Sequence, residues 1–267
     1  MLCILLVLVI FLYILVTLRT NKLFQLVPKQ VFTYWSSRDE IANKLVIKCI
    51  DTWRNHNPDW GIFVLNESNL HQYSNLVHNP KKQSIQHFSD ALRLDVLNQH
   101  GGVWLDATIW MTTSLNWIHK VQQDAKCSVV GFRNPIKPHT NIMENWFIAC
   151  APNNVFIQKW REEFSKAIHD VDHYLETVPR ALWDQVENPN YLLQNVAWNV
   201  TYQRNYNLQA DVCLLDSKNS VFKLHWDSNW DPVVFSKKFV NHKNNYKPFI
   251  KMTQLERSNV CDVIHEI

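Results

Sequence analysis

Glycine is nearly absent from this chain: there are four in 267 residues, Gly61, Gly101, Gly102 and Gly131. Neither G-x-G-x-x-G nor G-x-x-x-x-G-K-[ST] can be written from those positions, which excludes the usual dinucleotide fingerprint and the P-loop. A dominant charge is missing as well. Lys and Arg number 27 against 24 Asp and Glu, a net charge of +3, which gives no electrostatic case for nucleic acid as a partner. No C-x-x-C occurs, so zinc and dithiol motifs are absent; Cys49, Cys127, Cys150, Cys213 and Cys261 are an odd, unclustered set that reads as structural thiols. No internal repeat or low-complexity stretch stands out. What is present is 46% hydrophobic and 12% aromatic residues, with 12 tryptophans, a globular composition that excludes disorder, collagen and disulfide-scaffold classes.

The one long apolar run is N-terminal. Leu2 to Leu18 carries no charge and is followed by Arg19 and Lys22. Seventeen helical residues rise roughly 26 Å, close to the thinner membrane of the endoplasmic reticulum. No basic segment precedes the run and no small-x-small site follows it, so a membrane anchor is expected rather than a cleaved signal. Residues 1–18 then form the anchor, 19–29 a short stem and 30–267 the globular domain. Basic residues after the anchor favour a cytosolic domain if the positive-inside rule is taken literally. Asn66-Glu67-Ser68 and Asn199-Val200-Thr201 are glycosylation sequons, a weak sign in a chain so rich in Asn.

The globular part opens with strand-like residues from Gln30 to Trp35. A helix follows, with Ser36 and Ser37 as caps and Ile41, Leu45, Cys49 and Trp53 on one stripe. Asn57-Pro58 breaks it before a second strand at Trp60 to Leu65. Strand, helix and strand at this spacing predict an α/β domain with a mostly parallel sheet. A second helix is expected from an N-cap at Ser89 to a stop at Gly101, then a short buried strand Val103–Leu105 ending at Asp106. Further strands are expected near Ser128–Phe132 and Trp146–Cys150, and a helix from Asn154 to about His169. Residues 170–210 read as mixed and largely helical, and 211–226 and 233–252 as short strands and loops.

The chemistry concentrates in Ser89-Asp90-Ala-Leu-Arg93 and Gly101-Gly102-Val-Trp-Leu-Asp106-Ala-Thr108. Asp90 and Arg93, three apart, share a helix face, and the spacing places them near a helix N-terminus, whose dipole suits anions. Asp106 stands at the carboxyl end of a strand, where open α/β sheets bind ligands. Gly101 and Gly102 permit a sharp turn and a close approach of backbone to ligand. Together these groups would hold a divalent cation and a diphosphate. Taken singly each is commonplace: an Asp–Arg pair is most often an exposed ion pair of about 0.2–0.5 kcal/mol, whose loss barely changes stability. Their co-occurrence, using half of the chain's glycines, is the signal.

These residues resemble the nucleotide-sugar site of glycosyltransferases with a GT-A (Rossmann-like) fold. The nearest group is the capsular polysaccharide synthesis protein family, related to the family 32 glycosyltransferases typified by fungal Golgi mannosyltransferases. The resemblance extends to Pro28–Trp35 and to Glu144-Asn-Trp-Phe-Ile-Ala-Cys-Ala151. It implies that Trp35 stacks on the nucleotide base, Asp90 binds donor sugar hydroxyls, and Arg93 contacts sugar or phosphate. Gly102 would lie against the donor. Asp106 would be the first carboxylate of a metal-binding D-x-D motif serving Mn²⁺ or Mg²⁺. The third position is Thr108, a weaker, neutral ligand for a hard cation; His225, Asp227 and Asp231 are candidates to compensate. Trp104, Trp226 and Trp230 are candidate sugar platforms. The resemblance implies a retaining transfer of a hexose from a nucleotide-diphosphate sugar to a glycan or glycoconjugate acceptor. It also favours a type II orientation in the Golgi or endoplasmic reticulum. A non-catalytic carbohydrate-binding protein on the same fold is the alternative, encouraged by Thr108; a metal-dependent hydrolase has little support, for want of a His/Asp ligand cluster.

Overall fold

The computed structural model describes residues 25–36, 40–81, 83–137 and 139–263. The expected anchor, Leu2 to Leu18, lies outside the described residues; among those described, no helix is long and apolar enough to cross a membrane. The first half runs β1 (Gln30–Tyr34), α1 (Glu40–His56), β2 (Gly61–Leu65), α2 (Ile85–His100), β3 (Gly102–Leu105), β4 (Ile109–Met111), α3 (Trp117–Ala125), β5 (Val129–Arg133) and β6 (Met143–Cys150). It continues with α4 (Val155–His169), α5 (Val171–Thr177), α6 (Leu193–Arg204), β7 (Val212–Asp216), α7 (Lys223–Asp227), α8 (Pro232–His242), β8 (Phe249–Lys251) and α9 (Gln254–Val263).

Six strands make one sheet in the order β2-β1-β3-β6-β5-β7, parallel throughout except for β6. This is the α/β architecture with a mostly parallel sheet that the strand–helix–strand spacing predicts. The carboxyl ends of β1, β2, β3, β5 and β7 therefore share one edge. Successive side chains of a strand point to opposite faces, and both faces are buried. Val31, Val103 and Leu105 pack with Val46, Ile50 and Trp53 of α1 and Ile118 of α3. Phe32, Trp104 and Ile148 pack with Leu92 of α2, Phe156 and Trp160 of α4 and Val196 of α6. A second, two-stranded sheet pairs β4 antiparallel with β8, covered by Leu45 and Cys49 of α1, Phe235 and Phe239 of α8 and Val260 of α9.

The glycine pair works differently from expectation. Gly101 caps α2 with φ +64°, and Gly102 opens β3 with φ +93°. A Cβ on Gly102 would stand 2.6 Å from the Gln30 carbonyl, and one on Gly101 2.5 Å from the Pro152 nitrogen. The close approach is thus between β3 and its neighbours, and Gly102 lies at the opposite end of the strand from Asp106. It is not placed against a ligand at the carboxyl edge.

Three other expectations are corrected. The helix carrying Asp90 begins at Ile85, capped by Ser84, whose hydroxyl accepts from the His87 N–H. Ser89 lies inside it, so Asp90 is in the second turn and beyond the reach of the N-terminal dipole. Residues 233–242, expected within short strands and loops, belong to helix α8: Asp231 accepts from the N–H groups of Val233 and Val234, and Pro232 takes the first turn, where its missing donor costs nothing. Cys127 and Cys213, expected as thiols, form a disulfide that ties the approach to β5 to the neighbouring β7. In addition, Asn199 is buried in α6 and donates to the Leu182 carbonyl, so the second sequon is closed in the folded chain.

The disulfide closes a long loop, 86 residues in sequence separation. Replacing Cys127 and Cys213 together by serine is expected to lower stability by about 2–4 kcal/mol without abolishing the fold. Urea denaturation of both proteins measures this. A loss under about 0.5 kcal/mol, the scale of ordinary surface changes, would show that the cross-link does not restrain the unfolded chain.

Candidate active site

Asp106 follows β3 directly, and its N–H donates to the Trp146 carbonyl, extending the β3–β6 pairing by one residue. Its carboxylate therefore sits at the carboxyl edge of the sheet, where it remains 28% exposed. Three donors converge on it. Arg93 Nη2 stands 3.3 Å and Trp104 Nε1 3.4 Å from Oδ1, and Lys251 Nζ stands 2.7 Å from Oδ2. Burial alone would raise this carboxyl, but the Lys251 and Arg93 charges outweigh it and hold Asp106 well below the usual carboxylate range.

Arg93 is the link to α2. Its Nη1 pairs with Asp90 Oδ1 at 2.8 Å and donates to Gln194 Oε1 at 2.9 Å, while the guanidinium lies 5.4 Å above the Trp104 ring. Asn145, on β6, donates to both Asp90 Oδ1 and Gln194 Oε1; Gln194, on α6, returns a bond to the Asp90 carbonyl. Asp90 and Arg93 side chains are only 3% and 6% exposed, so the pair is not the exposed one that spacing alone suggests. Burial pushes Asp90 up to about 6, with Arg93 opposing and Asp106 adding. Its Oδ2 and the Arg93 Nε are buried without a hydrogen-bond partner.

The remaining expected residues divide. Trp35 follows β1 on the same edge as Asp106, half-buried, with its indole N–H on Asn43 Oδ1 at 2.6 Å. Thr108 is placed otherwise: it is 2% exposed, its hydroxyl donates to the Met252 carbonyl, and its own carbonyl accepts the Met252 N–H. Of the compensating candidates, His225 is buried beside Glu256, Asp227 pairs with Lys223, and Asp231 caps α8. Trp104 is buried beneath Arg93, Trp230 stacks on Phe222, and only Trp226 is exposed, under the Lys218 ammonium.

A hard divalent cation takes six or more oxygen ligands. Here the partly exposed Asp106 carboxylate is already bonded to two cations, and the Thr108 hydroxyl is bonded to the Met252 carbonyl. Among the described residues, no three His, Cys, Asp or Glu side chains are grouped to hold a metal. The donor set does not fit Mn²⁺ or Mg²⁺ held through Asp106 and Thr108.

Fold and site together define an α/β protein with a cluster of paired charges at the carboxyl edge of a mostly parallel sheet. The chain belongs to the capsular polysaccharide synthesis protein family, whose model matches residues 16–258. It is similar to O-glycosyltransferase braB of Annulohypoxylon truncatum, 27% identical over 158 residues, which cover 52% of this chain and 37% of that protein. It is also similar to glycosyltransferase afumC of Aspergillus fumigatus, 34% identical over 82 residues, covering 30% of this chain and 21% of that protein. The chain thus matches well under half the length of these curated relatives. Among solved structures, the glycosyltransferase GlyE of Streptococcus pneumoniae TIGR4 aligns with a TM-score of 0.48 at 12% identity, covering 85% of this chain and 55% of that one.

Two measurements check the site's electrostatics. Arg93→Ala removes one partner of a buried pair and is expected to cost about 3–5 kcal/mol in urea denaturation, not the few tenths of an exposed pair. A loss under about 0.5 kcal/mol would place the pair in water. Asp90 is raised from 3.8 to about 6, so the unfolded chain loses this proton first. Its contribution to stability is fully present below 3.8 and is lost as pH rises through 6. The difference in unfolding free energy between wild type and Asp90→Asn is therefore expected to change across that window, and a pH-independent difference would contradict it.

Proposed function

We propose that this chain is a GT-A glycosyltransferase moving a hexose from a nucleotide-diphosphate sugar to a glycan or glycoconjugate acceptor. The observation that supports this best is the convergence of Asp90, Arg93 and Asp106 at the carboxyl edge of the sheet, where open α/β sheets bind nucleotides. In this reading the buried Asp90 Oδ2 accepts a donor sugar hydroxyl and the Arg93 Nε–H donates to sugar or phosphate. Trp35, on the same edge, stacks on the base. Asp106 holds Arg93 in position, and Asn145 and Gln194 fix the Asp90–Arg93 geometry. Anomeric configuration is retained, as in the related families. No step is assigned to the divalent cation that a D-x-D motif implies. Leu2 to Leu18 anchors the protein in the membrane of the Golgi or endoplasmic reticulum in the type II orientation.

The buried Thr108 favours one other reading, a carbohydrate- or nucleotide-sugar-binding protein without turnover. One experiment separates the two. Detergent-solubilised full-length protein is screened by thermal shift against UDP-, GDP- and CMP-sugars, with and without Mn²⁺, and donors that bind are followed for slow hydrolysis. The expected outcome is stabilisation by donors of one base and hydrolysis that collapses in Asp106→Asn. Stabilisation without hydrolysis under either condition would support the binding protein. No stabilisation by any donor would remove the nucleotide-sugar reading.

A further inference from the structure

We propose that Lys251 supplies the cation of this site. Its ammonium, held on Asp106, binds the donor diphosphate where a divalent ion would otherwise lie, and transfer needs no added metal. The proposal rests on the nucleotide-sugar reading above.

The placement of Lys251 comes from backbone structure, not from the reach of a flexible side chain. It ends β8, opposite Ile109 of β4, three residues after Asp106. The next residue, Met252, exchanges two bonds with Thr108. The third residue of the D-x-T segment is therefore a structural tie to β8, and that tie sets Lys251 against the first. The Lys251 side chain is 8% exposed and Asp106 is 28% exposed, so the pair meets solvent on the carboxylate side. An ammonium has three N–H donors, and Asp106 takes one of them. Asp90 and Asp106 balance Arg93 and Lys251, which keeps two cations buried in the fold; an incoming diphosphate then meets the unused donors of both.

The transfer itself balances without a co-reactant. The bond from the sugar C1 to the β-phosphate oxygen breaks, and its electron pair stays on the diphosphate. The acceptor oxygen bonds to C1, and its proton passes to the departing phosphate oxygen on the same face. Lys251 stays protonated and meets the growing charge with N–H···O bonds, the role otherwise given to a metal.

The test is calorimetric titration of full-length protein in detergent with UDP and GDP, in EDTA and in Mn²⁺, for wild type, Lys251→Met and Lys251→Arg. Wild type is expected to bind one nucleoside diphosphate about equally in the two buffers. Lys251→Met should weaken that binding in EDTA about tenfold or more, the scale of one charged hydrogen bond, and leave binding of the nucleoside alone unchanged. Lys251→Arg should keep most of it. Should Lys251→Met fail to fold, the wild-type comparison of EDTA with Mn²⁺ decides. Binding by wild type only with Mn²⁺, or equal affinity of wild type and Lys251→Met in EDTA, overturns the proposal and leaves the nucleotide-sugar reading standing. Binding under neither condition overturns both.

Discussion

One carboxylate organises this protein's charged cluster. Asp106 accepts from Arg93, Trp104 and Lys251, groups carried by α2, β3 and β8. Buried cations are tolerated only when paired, because desolvation of an unpaired charge costs several kcal/mol. Arg93 and Lys251 can therefore stay inside the fold while Asp106 remains ionised, and the opposing charges keep it so. A second carboxylate, Asp90, meets the other side of Arg93. The result is an alternating row, Asp90–Arg93–Asp106–Lys251, whose charges sum to zero.

Aromatic packing joins the small sheet, which carries Lys251, to the large one. Phe249, two residues before Lys251 and on the same face of β8, stacks on Phe147 at 5.6 Å and meets Phe132 edge-on at 5.5 Å. Phe147 is stacked in turn on Trp117 of α3. The small sheet is thereby registered against the large one by rings that fill the interface; Phe132, Phe147 and Phe249 are buried side chains of the kind that stabilise by roughly 1.5–3 kcal/mol each. Trp104 does the corresponding work on the other face, beneath Arg93.

Much of this was legible in the sequence where local signals and tertiary structure agree. β1, α1, β2, the turn at Gly101 and β3 follow from β-branched and aromatic runs, an i+4 apolar stripe and a helix stop, and Asp106 falls at a strand end as its position implies. Local patterns misled where two signals competed. Ser84 and Ser89 both resemble helix caps, and only the fold selects the earlier one. The Asp231-Pro232 helix start was present in the residues but was masked by the β-branched Val233-Val234 that follows. Lys251, Gln194 and the Cys127–Cys213 bridge are contacts across 145, 101 and 86 residues, and no local periodicity encodes them. Asn145 was nearer to view, inside the Glu144-Asn-Trp block, but only the fold, which brings β6 beside Asp90, gives it a role. Thr108 was legible as a departure from the carboxylate expected there; what it does instead depends on β8.

The pairing of β4 with β8 also fixes an order of events during synthesis. A ribosome that has delivered Asp106 must add about 145 more residues before the strand bearing its second cation emerges, at a pace of about 5–20 residues per second. Through that interval the nascent domain carries the carboxylate and Arg93 without Lys251. The charge row is completed only when β8 zips onto β4, so this late-made strand acts as its keystone.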